Sequence, residues 1–454
     1  MVPIITALVV LTLVLFCRKR WGGWFGNPVE PAYTSLSVPG RIQLTFGNSG
    51  EFSRNISWQC GDTLAPSKVV IVKVGSLDTL HIAATGKVLR STGGTTVSYH
   101  AQLKSLEQGI YRYRVQTGRR QSPEWQFVVR DPHTDFSFIY IGDIQDTLHS
   151  FTKPFFANIF ARHPQAHFWL LGGDVIERPH DQYWNEYFTS MDSITQTTPF
   201  IAAPGNHEYL KGVPSILEER FLHVFSYFLE NSARSGANTS TNGVFALRYG
   251  NTAIITLDSN KDFWTYLSQR AWLKEALKRA ETARWKIVVL HHPLYSIHGK
   301  MTNLMVRALF GSLLKENGVD LVLQGHEHGY ARAFSKADDE SPTTPVYMIS
   351  NASPKDYMLY FNDKYNRYGN GMRFEQHIRV QQDTLDIKTF TEYNELYDEI
   401  RIIKGNDSDK VAGPRVTTYT DNIPEHLEIN ERTKKMKDKK RKKYEQAIEM
   451  WLQR

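Results

Sequence analysis

Residues 170–174 read Leu170-Leu171-Gly172-Gly173-Asp174, where the apolar run His167-Phe168-Trp169-Leu170-Leu171 breaks on two glycines and meets a carboxylate. A short apolar run closed by a turn signal reads as a buried strand that carries Asp174 to a sheet edge. The pattern recurs on both sides. Phe136 to Ile141 ends at Gly142-Asp143, and Pro199 to Ala202 runs to Gly205-Asn206-His207-Glu208. Ile287 to Leu290 stops at His291-His292, and Val319 to Leu323 leads into Gly325-His326-Glu327-His328. Residues just beyond the carboxyl ends of strands form the functional crevice of open α/β sheets. The five ends are therefore expected to converge on one site.

The side chains at those ends belong to one chemistry. Asp143, Asp174, Asn206, His291, His326 and His328 are oxygen and imidazole ligands, suited to Zn, Mn or Fe and unsuited to soft-metal sites. His326 and His328 are two apart, so in extended backbone both rings project to the same side. That spacing can supply one ligand to each of two adjacent ions, with Asp174 the candidate bridge at the separation of about 3.5–4 Å used in two-metal hydrolysis.

Composition narrows the class. A chain of 454 residues with 41% hydrophobic and 12% aromatic content buries more than one core and is neither disordered nor low-complexity. The formal charge of +7 is concentrated in Arg432 to Lys443, where nine Lys/Arg face one Asp. The remaining body is near neutral, so no specific nucleic-acid partner is indicated. Cys17 and Cys60 are the sole cysteines, which excludes a disulfide scaffold and a Cys-type zinc site.

Met1 to Cys17 is uninterruptedly apolar and is followed by Arg18-Lys19-Arg20. This is short against the roughly 20 apolar residues of a spanning helix. The basic triplet after it argues for a cytoplasmic remainder, but an apolar run of this length has no soluble use. We expect residues 1–25 to be a signal or membrane anchor and the protein to be exported or membrane-anchored, its active domain outside the cytoplasm. Asn55, Asn238, Asn351 and Asn406 each head an Asn-X-Ser/Thr triplet, which matters in a eukaryotic host.

Residues 28–130 read as short strands such as Arg41–Phe46, Asn55–Trp58, Val69–Val74 and Tyr111–Val115 between Gly, Ser and Asp turns. Their spacing predicts an antiparallel β-sandwich, a structural or docking module because it clusters no histidines with carboxylates. Residues 134–404 alternate strands with helical stretches, the α/β signature. Helices are expected over Trp264–Ala283, with Leu267, Ala271, Leu273, Ala276, Leu277 and Ala280 at helical spacing, and over Met301–Asn317. Residues 405–454 read as a basic, solvated helical tail.

In order and spacing, Gly142-Asp143, Gly173-Asp174, Gly205-Asn206-His207-Glu208, His291 before His292-Pro293, and Gly325-His326-Glu327-His328 resemble the calcineurin-like metallophosphoesterases. The β-rich front and the closing Leu396-Tyr397-Asp398-Glu399-Ile400 look more specifically like the purple acid phosphatase branch. The resemblance covers about residues 28–404. It implies a two-domain α+β/α/β chain, a fibronectin-like β-sandwich followed by an α/β/β/α sandwich of two mixed sheets, where spacing alone allows a single doubly wound sheet. It implies two metal ions, of Fe, Zn or Mn, one on Asp143, Asp174 and His328, the other on Asp174, Asn206, His291 and His326. His207 becomes the general acid, a metal-bound hydroxide attacks phosphorus in line without a phosphoenzyme, and His298 and Arg178 are candidate substrate contacts.

Two positions depart from the branch. Purple acid phosphatases carry a tyrosine three residues after the bridging aspartate, and this chain has Glu177. Without a phenolate no purple colour is expected. Two residues after the first aspartate the branch has glycine and other metallophosphoesterases a histidine ligand; here Gln145 serves either as a weak amide-oxygen ligand or as a hydrogen-bonding neighbour of the ligands.

The expected function is acid-phosphatase-like hydrolysis of a small phosphate monoester. A phosphodiesterase acting on nucleotides or lipid headgroups and a non-catalytic binding protein with a relict site are the alternatives. His100, His167 and His223 are expected to be satisfied core histidines, His292 to be structural, and Glu208 to orient its loop.

Overall fold

The computed structural model describes residues 26–47, 50–131, 135–146, 152–212, 214–229, 243–260, 263–299, 303–334, 345–405, 415–429, 434 and 437–454. Short strands fill the front: β1 (Gly40–Gly47), β2 (Gly50–Gln59), β3 (Ser67–Lys73), β4 (Thr79–Ala83), β5 (Thr85–Arg90), β6 (Thr95–Leu103), β7 (Gly109–Thr117), β8 (Arg120–Gln121) and β9 (Trp125–Val129). They form two antiparallel layers, β1-β2-β6-β5 and β4-β3-β7, with β8 and β9 paired to β7. Alternation does the sorting: along β7, Tyr111, Tyr113 and Val115 are buried while Arg112 is exposed. The inward residues meet Leu44, Trp58, Val69 and Tyr99 in one core.

The chain continues through β10 (Phe136–Ile141), α1 (Lys153–Arg162), β11 (Trp169–Leu171), α2 (Asp181–Met191), α3 (Ile194–Thr197), β12 (Phe200–Ala202), β13 (Tyr209–Leu210), β14 (Ile216–Leu217) and α4 (Glu219–Val224). Next come β15 (Phe245–Tyr249), β16 (Thr252–Thr256), α5 (Phe263–Arg279), β17 (Trp285–Val289), α6 (Leu304–Glu316), β18 (Leu321–Gln324), β19 (Tyr330–Ala333), β20 (Val346–Ile349) and β21 (Arg367–Gly369). It closes with β22 (Phe374–Val380), β23 (Thr384–Thr391), β24 (Leu396–Ile403), β25 (Arg415–Thr418) and α7 (Asp438–Leu452).

Two mixed sheets result. In the first, β10, β11 and β12 are parallel and β22 to β25 extend the β10 edge in antiparallel fashion. The second is ordered β15-β16-β17-β18-β20-β19-β21. Side-chain alternation fixes the layering. Ile287 and Val289 of β17, with Leu321 and Leu323 of β18, join the core shared with the first sheet. Val288 and Val322 face the other way, onto Leu273 and Leu277 of α5 and Phe310 and Leu314 of α6. Burial of both faces is why these strands read as continuous apolar runs. The first sheet also runs on into the front sandwich, through a parallel pairing of Thr45 with Phe200.

Buried charge fastens the two parts. Arg220 of α4 reaches Glu30 Oε1 at 2.6 Å, Asp181 Oδ2 at 2.7 Å and Glu218 Oε1 at 2.8 Å, while Arg41 of β1 reaches Asp181 Oδ1 at 2.7 Å. All five are buried, and each guanidinium balances carboxylates that could not be buried unpaired.

Three expectations are corrected. In α5, Leu267 and Ala271 are exposed, and the buried face is Tyr266, Gln269, Leu273, Ala276, Leu277 and Ala280. The Gln269 amide bonds both the N–H and the carbonyl of Asp258, at 3.2 and 3.0 Å, and this turns a polar side chain inward. The tail is not simply solvated. β25 adds to β24, and α7 buries Tyr444 and Ile448 while Trp451 stacks on Phe361 at 5.6 Å. Its basic residues crowd the largely exposed N-terminal half of the helix, ahead of the buried stripe. Asn55 and Asn351 are buried, so neither is open to glycosylation; Asn238 and Asn406 lie outside the described residues. The anchor expected at residues 1–25 also lies outside them, and among the described residues no helix is long and apolar enough to cross a membrane.

Candidate metal centre

The five strand ends meet. Those of β10, β11 and β12 come from one sheet and those of β17 and β18 from the other, so the site lies across the two sheets. The approach is too close for ordinary side chains at the turns. A Cβ on Gly205 would collide with the Asp174 carboxylate and backbone, and Gly173 sits at φ +90° with His291 Nδ1 2.7 Å from where a Cβ would be. Asp143, Asp174, His326 and His328 themselves take positive φ, at 48°, 50°, 72° and 48°. For residues with a Cβ this costs about 1–2 kcal/mol each. Surrounding contacts hold it, among them the His326 N–H donating to Asp143 Oδ2 at 2.6 Å.

Two donor groups form around Asp174. Asp174, His291 and His326 make one and Asp143, Asp174 and His328 the other, each offering atoms within 4.8 Å of one another. Asn206 Oδ1 belongs with the first, at 2.9 Å from His326 Nδ1 and 3.1 Å from His291 Nε2. His291 Nδ1 donates to the Gly172 carbonyl at 3.0 Å, which leaves Nε2, 3.2 Å from Asp174 Oδ2, as the nitrogen that would face an ion.

The electrostatics call for cations. Burial pushes the Asp143 pKa well above the usual carboxylate range, and the charge on Asp174 adds to the shift. Burial opposes ionisation of Asp174 too, but His291 and His207 outweigh it and hold that pKa low. Burial drives both His326 and His328 down to about 3, with His291 adding at His326, so both present neutral, ligand-ready rings. Asp143 Oδ1, Gln145 Oε1 and His328 Nδ1 are buried without hydrogen-bond partners. Such atoms are rare unless something else satisfies them. The donor set and these orphaned atoms fit a pair of hard or borderline metal ions.

Around the donors the other candidates take definite places. Gln145 is fully buried, its amide nitrogen 3.1 Å from His328 Nε2. The His207 N–H donates to Asp174 Oδ1 at 2.9 Å and its Nδ1 to the Glu177 carbonyl at 2.5 Å, while Nε2 lies 3.9 Å from Asp174 Oδ2. Glu208 accepts the N–H groups of Gly205, Asp174, Val175 and Ile176 at 2.6–3.2 Å. It orients the loop, as expected. His292 bonds Ser259 at 3.0 Å and packs tilted against His326 with centroids 4.1 Å apart. His298 is exposed, its Nδ1 3.3 Å from the Met358 carbonyl. Arg178 is exposed and acts electrostatically on His180; among the described residues nothing ties it to the donor groups.

Sequence reasoning missed Glu327, Lys355 and Tyr357. Glu327 alternates with the two histidines and is buried, pushed up to about 7 by burial against its bonds to Ser296 and the His298 backbone, so it braces the His298 loop. Its place between two ligand types was the signal. Tyr357 packs on His328 at 4.4 Å and on His298 at 5.0 Å, and the Lys355 ammonium bonds Glu177 Oε2 at 2.5 Å. No spacing rule connects these two to strand ends far away in the chain.

The chain is similar to known proteins in sequence and in fold. Residues 136–330 match the family described as calcineurin-like phosphoesterase. Purple acid phosphatase 18 of Arabidopsis thaliana is 26% identical over 333 residues, 69% of this chain and 71% of that protein. Fe(3+)-Zn(2+) purple acid phosphatase 12 of the same plant is 24% identical over 318 residues, 65% of each. Among solved structures, purple acid phosphatase PPD1 from yellow lupin (Lupinus luteus) seeds superposes with a TM-score of 0.68 at 14% identity, covering 83% of this chain and 76% of that one. That likeness establishes the shared fold.

Proposed function

We propose that this chain, whose residues 136–330 form a calcineurin-like phosphoesterase domain, is a dimetal phosphoric ester hydrolase acting on phosphate monoesters. The reading rests on one observation: two donor groups that share Asp174 and draw on four strand ends, with Asn206 from a fifth beside them. Asp143, Asp174 and His328 would hold one ion, with Gln145 beside them, and Asp174, Asn206, His291 and His326 the other. Fe, Zn and Mn all suit the donors. The ions, when bound, supply Lewis acidity toward water and the phosphoryl oxygens.

The chain's own residues supply positioning and protons. Because His207 Nδ1 is engaged by the Glu177 carbonyl, Nε2 is the nitrogen left to protonate the leaving-group oxygen. His298, braced by Glu327, stands ready as a substrate contact; Arg178 would act at longer range. The experiment is hydrolysis of p-nitrophenyl phosphate and bis(p-nitrophenyl) phosphate by protein reconstituted with Mn, Zn or Fe. Faster monoester cleavage is expected. Faster diester cleavage would favour a phosphodiesterase, and cleavage of neither a binding protein. His207→Ala should slow an alkyl phosphate more than p-nitrophenyl phosphate, whose leaving group needs no proton.

We also propose that the apolar segment 1–17 exports or tethers the enzyme, with its active domain outside the cytoplasm. Protease protection of the full chain in sealed membranes tests this: protection of residues 28–404 from the cytoplasmic side is expected, and digestion from that side would reverse the orientation.

A further inference from the structure

The loop after β20 is built onto the centre. The Ala352 N–H donates to the Gly142 carbonyl at 2.8 Å, beside Asp143. Asn351, fully buried, then folds a tight turn: its amide bonds the carbonyls of Ser353 and Lys355, each at 3.1 Å, and the Lys355 N–H donates to Ser353 Oγ at 3.1 Å. Two residues on, Tyr357 packs against His328 and His298. At the far end the Leu359 N–H donates to Tyr444 Oη of α7 at 3.1 Å.

This framework sets the Lys355 side chain at the rim. Its ammonium bonds the Glu177 carboxylate, and Glu177 holds His207 through its own carbonyl. The cation is thereby linked through Glu177 to the His207 side of the site, while Tyr357, two residues on, packs at the His328 side. The Lys355 side chain is one-third exposed, open to an anion arriving from solvent.

On the reading that this centre cleaves phosphate monoesters, we infer that Lys355 is a substrate-contacting specificity residue that exchanges Glu177 for a phosphoryl oxygen and so favours monoesters over diesters. A monoester phosphoryl group carries about two negative charges near neutral pH, and a diester one. The second charge is what an ammonium at the rim rewards. Lysine suits the role as a compact point charge on a flexible stem, able to move from one anion to the other.

The test uses the metal-loaded full chain. Lys355→Ala should raise KM for p-nitrophenyl phosphate about tenfold or more, the scale of a lost charge-assisted hydrogen bond, with kcat and the diester parameters changed less than about threefold. Lys355→Arg should recover part of the monoester affinity. Inorganic phosphate should raise the melting temperature of the wild type more than that of Lys355→Ala. Equal losses on both esters, or none, together with an unaltered phosphate shift, would overturn the inference while leaving the hydrolase reading intact. A wild type that cleaves neither ester would remove both.

Discussion

Asp143 and Asp174 are both fully buried at positive φ, a combination that costs stability and persists where function requires it. Asp143→Asn keeps the shape and removes a carboxyl group whose ionisation burial and the neighbouring Asp174 charge both oppose. The metal-stripped variant should therefore melt higher than the metal-stripped wild type, by about 1 kcal/mol or more, while metal affinity collapses. A differential scan in chelator reads the first and a metal titration the second; a lower melting point would contradict the electrostatic account. Arg220 lies at the other extreme, a buried cation whose removal leaves Glu30, Asp181 and Glu218 without it. Arg220→Ala should cost about 3–5 kcal/mol, measured by urea denaturation. At this scale the ligand types were legible in the sequence because each follows a short apolar run. The pairing of Glu177 with Lys355 was not, since it depends on a loop that folds back from far along the chain.

Among the elements, α7 is the one whose role the sequence concealed. Its composition is dominated by Lys437 to Lys443, which masked the stripe of Tyr444, Ile448 and Trp451 that docks on Phe361, Tyr368 and Leu359. Tyr444→Phe keeps the ring and removes the hydroxyl that receives the Leu359 N–H. It should destabilise by about 1 kcal/mol and raise KM more than it lowers kcat, because the loop carrying Lys355 and Tyr357 loosens. Equal loss in both parameters would place the helix's influence elsewhere. The strands behaved differently. β10, β11, β12, β17 and β18 were readable from apolar runs between turn residues, but their division between two sheets was not, since a run buried on both faces carries no record of which neighbour it pairs with.

For the whole molecule, half-buried histidines away from the centre set a pH dependence. Burial lowers His100, His167 and His377 to about 4, below the ordinary 6.5, with His223 contributing at His100, Arg130 at His167 and His163 at His377. The unfolded chain then binds more protons than the native one between pH 6.5 and 4. Stability is full above that window and falls as pH drops through it, by ~1.4 kcal/mol per pH unit for each proton taken up. Thermal melts from pH 7.5 to 4 should show the decline, and His377→Gln should make it shallower; a flat profile would contradict the assignment. The two-sheet architecture, with its front β-sandwich, was expected from the motif resemblance and agrees with the superposition on PPD1. The continuous sheet through Thr45 and Phe200 has no sequence signature, because a single backbone pairing leaves no pattern in side chains. The most direct test of the central claim is elemental analysis of the protein lacking residues 1–25, with p-nitrophenyl phosphate hydrolysis measured on the same samples for wild type and Asp174→Asn. About two metal ions per chain in the wild type, with loss of metal and activity together in the variant, is the predicted result. Protein that stays metal-free and inactive after reconstitution with Mn, Zn and Fe would contradict it.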